Sequence, residues 1–319
     1  MRTLPVILDV DTGVDDALAL LFAVKHPAID IRAITCVAGN APLGQVVDNT
    51  LRVLDAVDAP LIPVAAGASR PLLAPARSAS HVHGENGLGG IELPATRRKP
   101  EGVGAVELMR RTLMGSDERI TLVALAPQTN LALLLRTYPE VTDRIERIVF
   151  MGGSAGVGNA TAVAEFNVWH DPEAASIVLS SGVPIFMYGL DVFTQVSVPQ
   201  DAAAALAAGN DPLGRVVGSL LGNRIALSED ESLVYTGLIG DAGAVCALVE
   251  PDALVVEKRP VRVELSGYGR GQTIVDRRRY SGEDRLHGGI GDWTVIDIAL
   301  DVDASRYADL FLETLDLAG

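Results

Sequence analysis

Four carboxylates crowd into eight residues near the N-terminus, in the run Asp9-Val10-Asp11-Thr12-Gly13-Val14-Asp15-Asp16. Negative charges this close raise one another's pKa unless a cation or hydrogen-bond donors compensate. Folding alone has no use for such a cluster. A hard cation with oxygen ligands, or a carboxylate kept as a general base, gives it one. Asp11 and Asp16 are the pair expected to converge on an ion, one at a strand end and the other in the first turn of a helix. Helix capping and the helix dipole explain Asp15 and Asp16, but not Asp9 and Asp11 as well.

The elements that must position these groups follow from hydrophobic patterning. Continuous apolar runs rich in β-branched residues recur at 6–10, 31–38, 62–66, 120–125, 145–151 and 184–190. Helical-period segments lie between them at about 17–25, 44–57, 102–114, 129–137 and 172–181. Strands apolar on both faces, alternating with helices, predict an α/β fold with a mostly parallel, Rossmann-like sheet flanked by helices. Beyond about 195 the pattern loosens into Ala-rich helices at 201–208, 212–227 and 241–249. A strand pair at 253–265 and 272–279, a strand at 294–300 and a closing helix at 304–317 complete the chain. No repeat or linker interrupts residues 1–319, so one domain is expected, with a smaller C-terminal lobe from about 195 as the alternative.

Ligands of an open parallel sheet bind beyond the carboxyl ends of its strands. Here the first strand ends in the acidic run, the second in Gly39-Asn40, and the fourth in Ala126-Pro127-Gln128-Thr129-Asn130. The fifth ends in Gly152-Gly153-Ser154 and the sixth in Asp191. A Gly-rich loop at 80–90 carries His81 and His83 and is expected to act as a flexible active-site flap.

Composition narrows the partners. The formal net charge of −15 argues against nucleic acid, whose phosphates require a basic face, and against anionic lipid. The core is built mainly from Ala, Val, Leu and Ile, because aromatics are only 4% of the chain. Cys36 and Cys246 both sit in apolar stretches and cannot frame a disulfide scaffold. With no signal-peptide core and no apolar run of membrane-spanning length, a soluble cytoplasmic protein is expected.

The acidic run resembles the N-terminal signature of the calcium-dependent nucleoside hydrolases, the inosine–uridine-preferring group. The resemblance continues through Val37-Ala38-Gly39-Asn40, His81-Val82-His83-Gly84-Glu85-Asn86-Gly87 and Phe150-Met151-Gly152-Gly153. It extends to Ala164-Glu165-Phe166-Asn167, Asp171-Pro172-Glu173-Ala174-Ala175 and Gly189-Leu190-Asp191-Val192, in order along the whole chain. It implies one Ca²⁺ held by Asp11, Asp16, the carbonyl of Leu125 and Asp241, with Asp11 also the general base on water. It implies that Asp15, Asn40 and Asn167 hold the ribose 2′ and 3′ hydroxyls. Asn159 and Glu165 would reach the 5′ hydroxyl, Met151 would line the sugar pocket, and His83 would contact the 5′ hydroxyl or the base. The activity implied is hydrolysis of a ribonucleoside to ribose and free base by a homodimer or homotetramer. Cleaving that bond passes through an oxocarbenium-like cation, which a ring of carboxylate and amide oxygens stabilises.

The chain departs from the family at one place. Many members carry His-Asp where this chain has Gly240-Asp241, and that histidine serves the departing base. Tyr235, Arg224 or a histidine of the 80–90 loop is one expected substitute; a substrate with a better leaving group or a base other than those of inosine and uridine is a second reading, and a slow or non-catalytic ribonucleoside-binding protein a third. The Asp-x-Asp spacing also resembles the Mg²⁺ phosphatases of the haloacid dehalogenase type. Their motif places Thr or Val where this chain has Gly13.

Overall fold

The computed structural model describes residues 3–223, 225–226, 234–235, 237–279, 286–288 and 293–318. Arg224 and the Tyr235 side chain lie outside the described residues.

Strand β1 (Leu4–Val10) runs buried in the interior of the sheet, because Val6, Ile7, Leu8 and Val10 offer apolar side chains to both faces. Its neighbours are β2 (Ile29–Cys36) and β4 (Ile120–Ala124), both parallel to it. With β3 (Val64–Ala66), β5 (Ile145–Met151) and β6 (Ile185–Tyr188), the parallel strands follow the order 3-2-1-4-5-6. Strand β7 (Ile225–Ala226) pairs only with β8 (Val234–Tyr235), in a separate two-stranded ribbon. The large sheet continues past β6 through β11 (Thr294–Val302), β9 (Leu254–Val263) and β10 (Thr273–Val275), giving nine strands. Strand β11 is parallel to β6 and antiparallel to β9. The strands after residue 195 thus extend the same large sheet, β7 and β8 excepted.

The order reverses between β1 and β4, and the carboxyl ends of strands flanking such a switch open a crevice. The acidic run leaves β1 there, and Leu125 leaves β4 beside it, its N–H donating to the Asp9 carbonyl at 2.9 Å.

Helices cover both faces: α1 (Val14–Lys25), α2 (Leu43–Ala56), α3 (Ser80–His83), α4 (Ala105–Met114), α5 (Thr129–Thr137) and α6 (Phe166–His170). They continue as α7 (Pro172–Leu179), α8 (Leu190–Phe193), α9 (Gln200–Ala208), α10 (Pro212–Leu221) and α11 (Ala242–Val249), before a closing helix at Ala304–Thr314. Residues 16–23 of α1 are all buried, because the helix is sandwiched between the sheet, α2 and α11. Each such Leu or Phe contributes about 1.5–3 kcal/mol through burial. Among the described residues no helix is long and apolar enough to cross a membrane.

Two expectations change. The helix foreseen over 212–227 stops at Leu221, where Gly222 caps it by donating to the Gly218 carbonyl. The apolar pair that follows, Ile225–Ala226, becomes β7 instead. The loop expected to be a flexible flap is tied down. The side-chain oxygen of Asn86 accepts from the N–H groups of Leu88 and Gly90, each at 3.0 Å, and its amide donates to the Ile91 carbonyl at 2.9 Å. Asn49 of α2 donates to the Asn86 carbonyl at 2.9 Å, fastening the loop to the body of the fold.

Asp9 is the brace of this architecture, as its place before the others suggests. Its Oδ1 accepts from Thr35 at 2.5 Å and from the Asn130 amide at 2.8 Å, joining β1, β2 and α5. Asn130 also donates to the Cys36 carbonyl at 3.0 Å and accepts from the Ala68 N–H at 2.8 Å. Replacing Asn130 by Ala strips three buried partners at once. We expect a loss of about 2–3 kcal/mol in urea denaturation, and no measurable loss would contradict this bracing.

Candidate active site

Each acid of the cluster is placed by backbone geometry rather than by its neighbours' charge. Asp16 stands in the first turn of α1 and reaches back over it, its Oδ1 accepting from the Asp11 N–H at 3.1 Å and its Oδ2 from the Gly13 N–H at 2.9 Å. Asn40, just past β2, adds its side-chain amide to the same Oδ2 at 3.1 Å. The Asn40 backbone N–H meets Asp11 Oδ2 at 2.7 Å. That approach requires Gly39, since a Cβ there would collide with the Asp11 carboxylate.

Asp241 arrives from the far end of the chain. It precedes α11, and the packing of α11 against α1 carries it to the carboxylates of the first helix. One carboxylate oxygen each from Asp15, Asp16 and Asp241 lie within 4.8 Å of one another. Asp11 and Asp16 are fully buried and Asp241 nearly so. Asp11 Oδ1 and Asp15 Oδ1 are buried atoms with no hydrogen-bond partner.

Burial pushes Asp11 and Asp241 well above the usual carboxylate range, and the neighbouring carboxylates push them further. The same causes bring Asp16 to about 7, against hydrogen bonds from Gly13, Asp11 and Asn40 that oppose them. Oxygen-only donors, orphaned buried lone pairs and mutual repulsion fit a hard divalent cation. Asp15, assigned to ribose by the resemblance, therefore also belongs to the group of oxygens that can hold the ion. That membership depends on the α1–α11 contact, which local sequence does not reveal.

A cavity of about 810 Å³ opens from this cluster. Met151 and Asn167 form part of its floor, and the Asn167 amide donates to the carbonyls of Leu125 at 3.0 Å and Met151 at 3.2 Å. Glu165 caps α6, one carboxylate oxygen accepting from the Asn167 N–H at 2.8 Å and the other from the N–H groups of Gly153 and Val168. Burial nonetheless raises its pKa to about 7. Asn159 sits at the exposed rim and accepts from the Phe166 N–H at 2.9 Å. His83 is buried on α3, with Nδ1 accepting from the Val14 N–H at 3.2 Å and lying 3.8 Å from Asp15 Oδ1. Burial lowers its pKa, against the opposing pull of Asp15.

The cavity wall thus gathers Asp15, Asn40, His83, Leu125, Met151, Asn159, Glu165, Asn167 and Asp241. Asp11 and Asp16 stand behind Asn40, hydrogen-bonded to it. Sequence reading placed Asp191 at a ligand-facing strand end but missed Phe166, Trp169 and Phe193 as wall residues. A short aromatic cluster after an acidic cap was the available signal for the first two.

The inosine–uridine preferring nucleoside hydrolase family model matches residues 6–309. The chain belongs to that family. Its members are ribonucleoside hydrolases, which leaves the phosphatase alternative without support. The chain is 40% identical over 314 residues to the pyrimidine-specific ribonucleoside hydrolase RihA of Escherichia fergusonii, covering 98% of each chain. Among solved structures it resembles a plant nucleoside hydrolase, PpNRh1, with TM-score 0.89 and 29% identity over 98% of this chain and 99% of that one. It also resembles the purine-preferring ribonucleoside hydrolase of Gardnerella vaginalis, with TM-score 0.87 and 30% identity over 98% of both.

The cluster makes stability without metal depend on pH. Unfolded aspartates lose their protons near pH 4, whereas folded Asp16 holds its proton to about 7. Between those values the native state binds more protons, so stability falls as pH rises. Thermal melts of chelator-treated protein should drop from pH 5 to pH 8, and millimolar Ca²⁺ should recover most of the loss at pH 8. A metal-free melting temperature that rises across this window would contradict the assignment.

Proposed function

We propose that this chain is a Ca²⁺-dependent cytoplasmic hydrolase that cleaves the N-glycosidic bond of ribonucleosides, pyrimidine nucleosides foremost, as a homodimer or homotetramer. The observation that carries the metal is the pair of buried, unpartnered oxygens on Asp11 and Asp15 beside the Asp15–Asp16–Asp241 group. The preference for pyrimidines rests on the 40% identical relatives named for it.

In this reading Asp11, Asp16, Asp241 and the Leu125 carbonyl would hold the ion, and Asp15 offers a further oxygen to it. Bound there, Ca²⁺ would supply Lewis acidity toward the attacking water and offset the carboxylate charge. Asp11 takes the proton from that water as its oxygen approaches the anomeric carbon. Burial and the neighbouring carboxylates raise its pKa above the usual carboxylate range, which strengthens it as a proton acceptor. Asp15, Asn40 and Asn167 grip the 2′ and 3′ hydroxyls, while Asn159 and Glu165 reach the 5′ hydroxyl. The carboxylates and amide oxygens around the sugar stabilise the positive charge that develops as the bond breaks. Met151 and the walls of the cavity exclude water from the far face of the ring.

Two experiments test this. Complete chelation should abolish nucleoside cleavage and added Ca²⁺ should restore it, whereas activity surviving chelation would sink the metal assignment. Asp11→Asn should lower kcat on uridine by about 10²–10⁴-fold with KM little changed, and a fall confined to KM would show that Asp11 only binds. The non-catalytic alternative predicts that wild-type protein binds ribose yet cleaves neither uridine nor p-nitrophenyl riboside.

A further inference from the structure

A departing nucleobase needs a proton, and the family's usual imidazole is absent at Gly240. The backbone explains why no side chain sits there. Gly240 adopts φ +56°, in the left-handed region, and a Cβ on it would collide with the Cβ of Asp15. The proton must come from elsewhere on the cavity wall.

The described wall residues include no lysine or arginine. Its acids are Asp15, Glu165, Asp191 and Asp241, and each is committed. Asp15 and Asp241 belong to the ion cluster. Both oxygens of Glu165 are held by backbone N–H groups. Asp191 accepts from the Ala155 N–H at 2.8 Å, on the loop that leads to Asn159 and hence to the 5′ side. The imidazoles on the wall are His81 and His83. His83 cannot start a cycle as a cation, because a proton on Nδ1 would face the Val14 N–H that it now accepts from. It remains a neutral donor through Nε2.

We infer that His81 of α3 is the general acid that protonates the leaving base. The inference rests on the hydrolase reading above. His81 lines the cavity, is exposed at its mouth, and makes no side-chain hydrogen bond among the described residues. It stands two residues from His83, which lies 3.8 Å from the same Asp15 that Gly240 is packed against. Helix α3 packs on β7, and Asn223 donates to the Val82 carbonyl at 3.4 Å. His81 therefore shares α3 and the cavity wall with His83, the imidazole next to the Asp15 that Gly240 packs against. An imidazole is also the side chain best suited to deliver a proton near neutrality.

The step balances as follows. The C1′–N bond breaks and its electron pair stays with the base, which takes the imidazolium proton of His81. The oxygen of water bonds to C1′ and its proton passes to Asp11. His81 regains a proton from solvent and Asp11 releases one, so nucleoside plus water gives ribose plus base.

The test compares uridine with p-nitrophenyl riboside, whose leaving group departs without a proton. His81→Ala and His81→Gln should each lower kcat on uridine by about 10²–10⁴-fold, while cleavage of p-nitrophenyl riboside stays within about threefold of wild type. Uridine cleavage that stays within about threefold in both variants would overturn the proposal and point to another donor. An equal fall on both substrates would assign His81 to sugar binding instead. Wild-type protein that cleaves p-nitrophenyl riboside but no nucleoside would refute His81 while leaving the glycosidic chemistry standing. Wild type inert to both would refute the hydrolase reading itself.

Discussion

The structure is organised around buried carboxylates brought together with too few donors. Asp11, Asp16 and Asp241 are each buried, and Asp11 keeps one oxygen with no hydrogen-bond partner. In a metal-free chain the only remedy is to hold protons, which is why burial and repulsion drive all three upward. Such an arrangement is stable only because the rest of the fold forces it. Strand β1 delivers Asp11, the first turn of α1 delivers Asp16, and the packing of α11 on α1 delivers Asp241. A cation converts the repulsion into attraction, so strain stored by the scaffold becomes affinity for the ion.

The same scaffold separates two ends of the chemistry. The end proposed for the sugar is densely bonded, with Asn40, Glu165 and Asn167 each making backbone or side-chain hydrogen bonds within the cavity wall. The rest of the cavity wall comes from the α3 loop, the segment before Asp241 and the aromatic residues of α6. Gly240 closes against Asp15 and gives up a side chain there. With His81 as the acid, α3 would supply the proton that position 240 cannot. The pinned loop around Asn86 fixes that element in place rather than leaving it to swing.

Much of this was legible in the residues. The fully apolar run of β1, followed at once by acids, marked a central strand with a site at its carboxyl end. The parallel order followed from strands apolar on both faces. Asp9, inside β1 and ahead of the other acids, braces the strand through Thr35 and Asn130. The C-terminal end of α10 was not legible, because Ile225–Ala226 continues an apolar pattern that serves a strand as well as a helix. Nor was the anchoring of the 80–90 loop, where glycines suggested freedom and asparagine side chains supplied the ties. The place of Asp15 among the ion's candidate ligands depended on a contact between helices more than two hundred residues apart in the chain.

The central claim is that the carboxylate cluster exists to bind a divalent cation and exchanges protons for it. Calorimetric titration of Ca²⁺ into chelator-stripped protein at pH 6, in buffers of differing ionisation enthalpy, tests this directly, because metal binding to protonated ligands releases their protons. The account predicts one ion per chain with net proton release that shrinks as pH rises to 8. Binding without proton release, or no saturable binding, would contradict it.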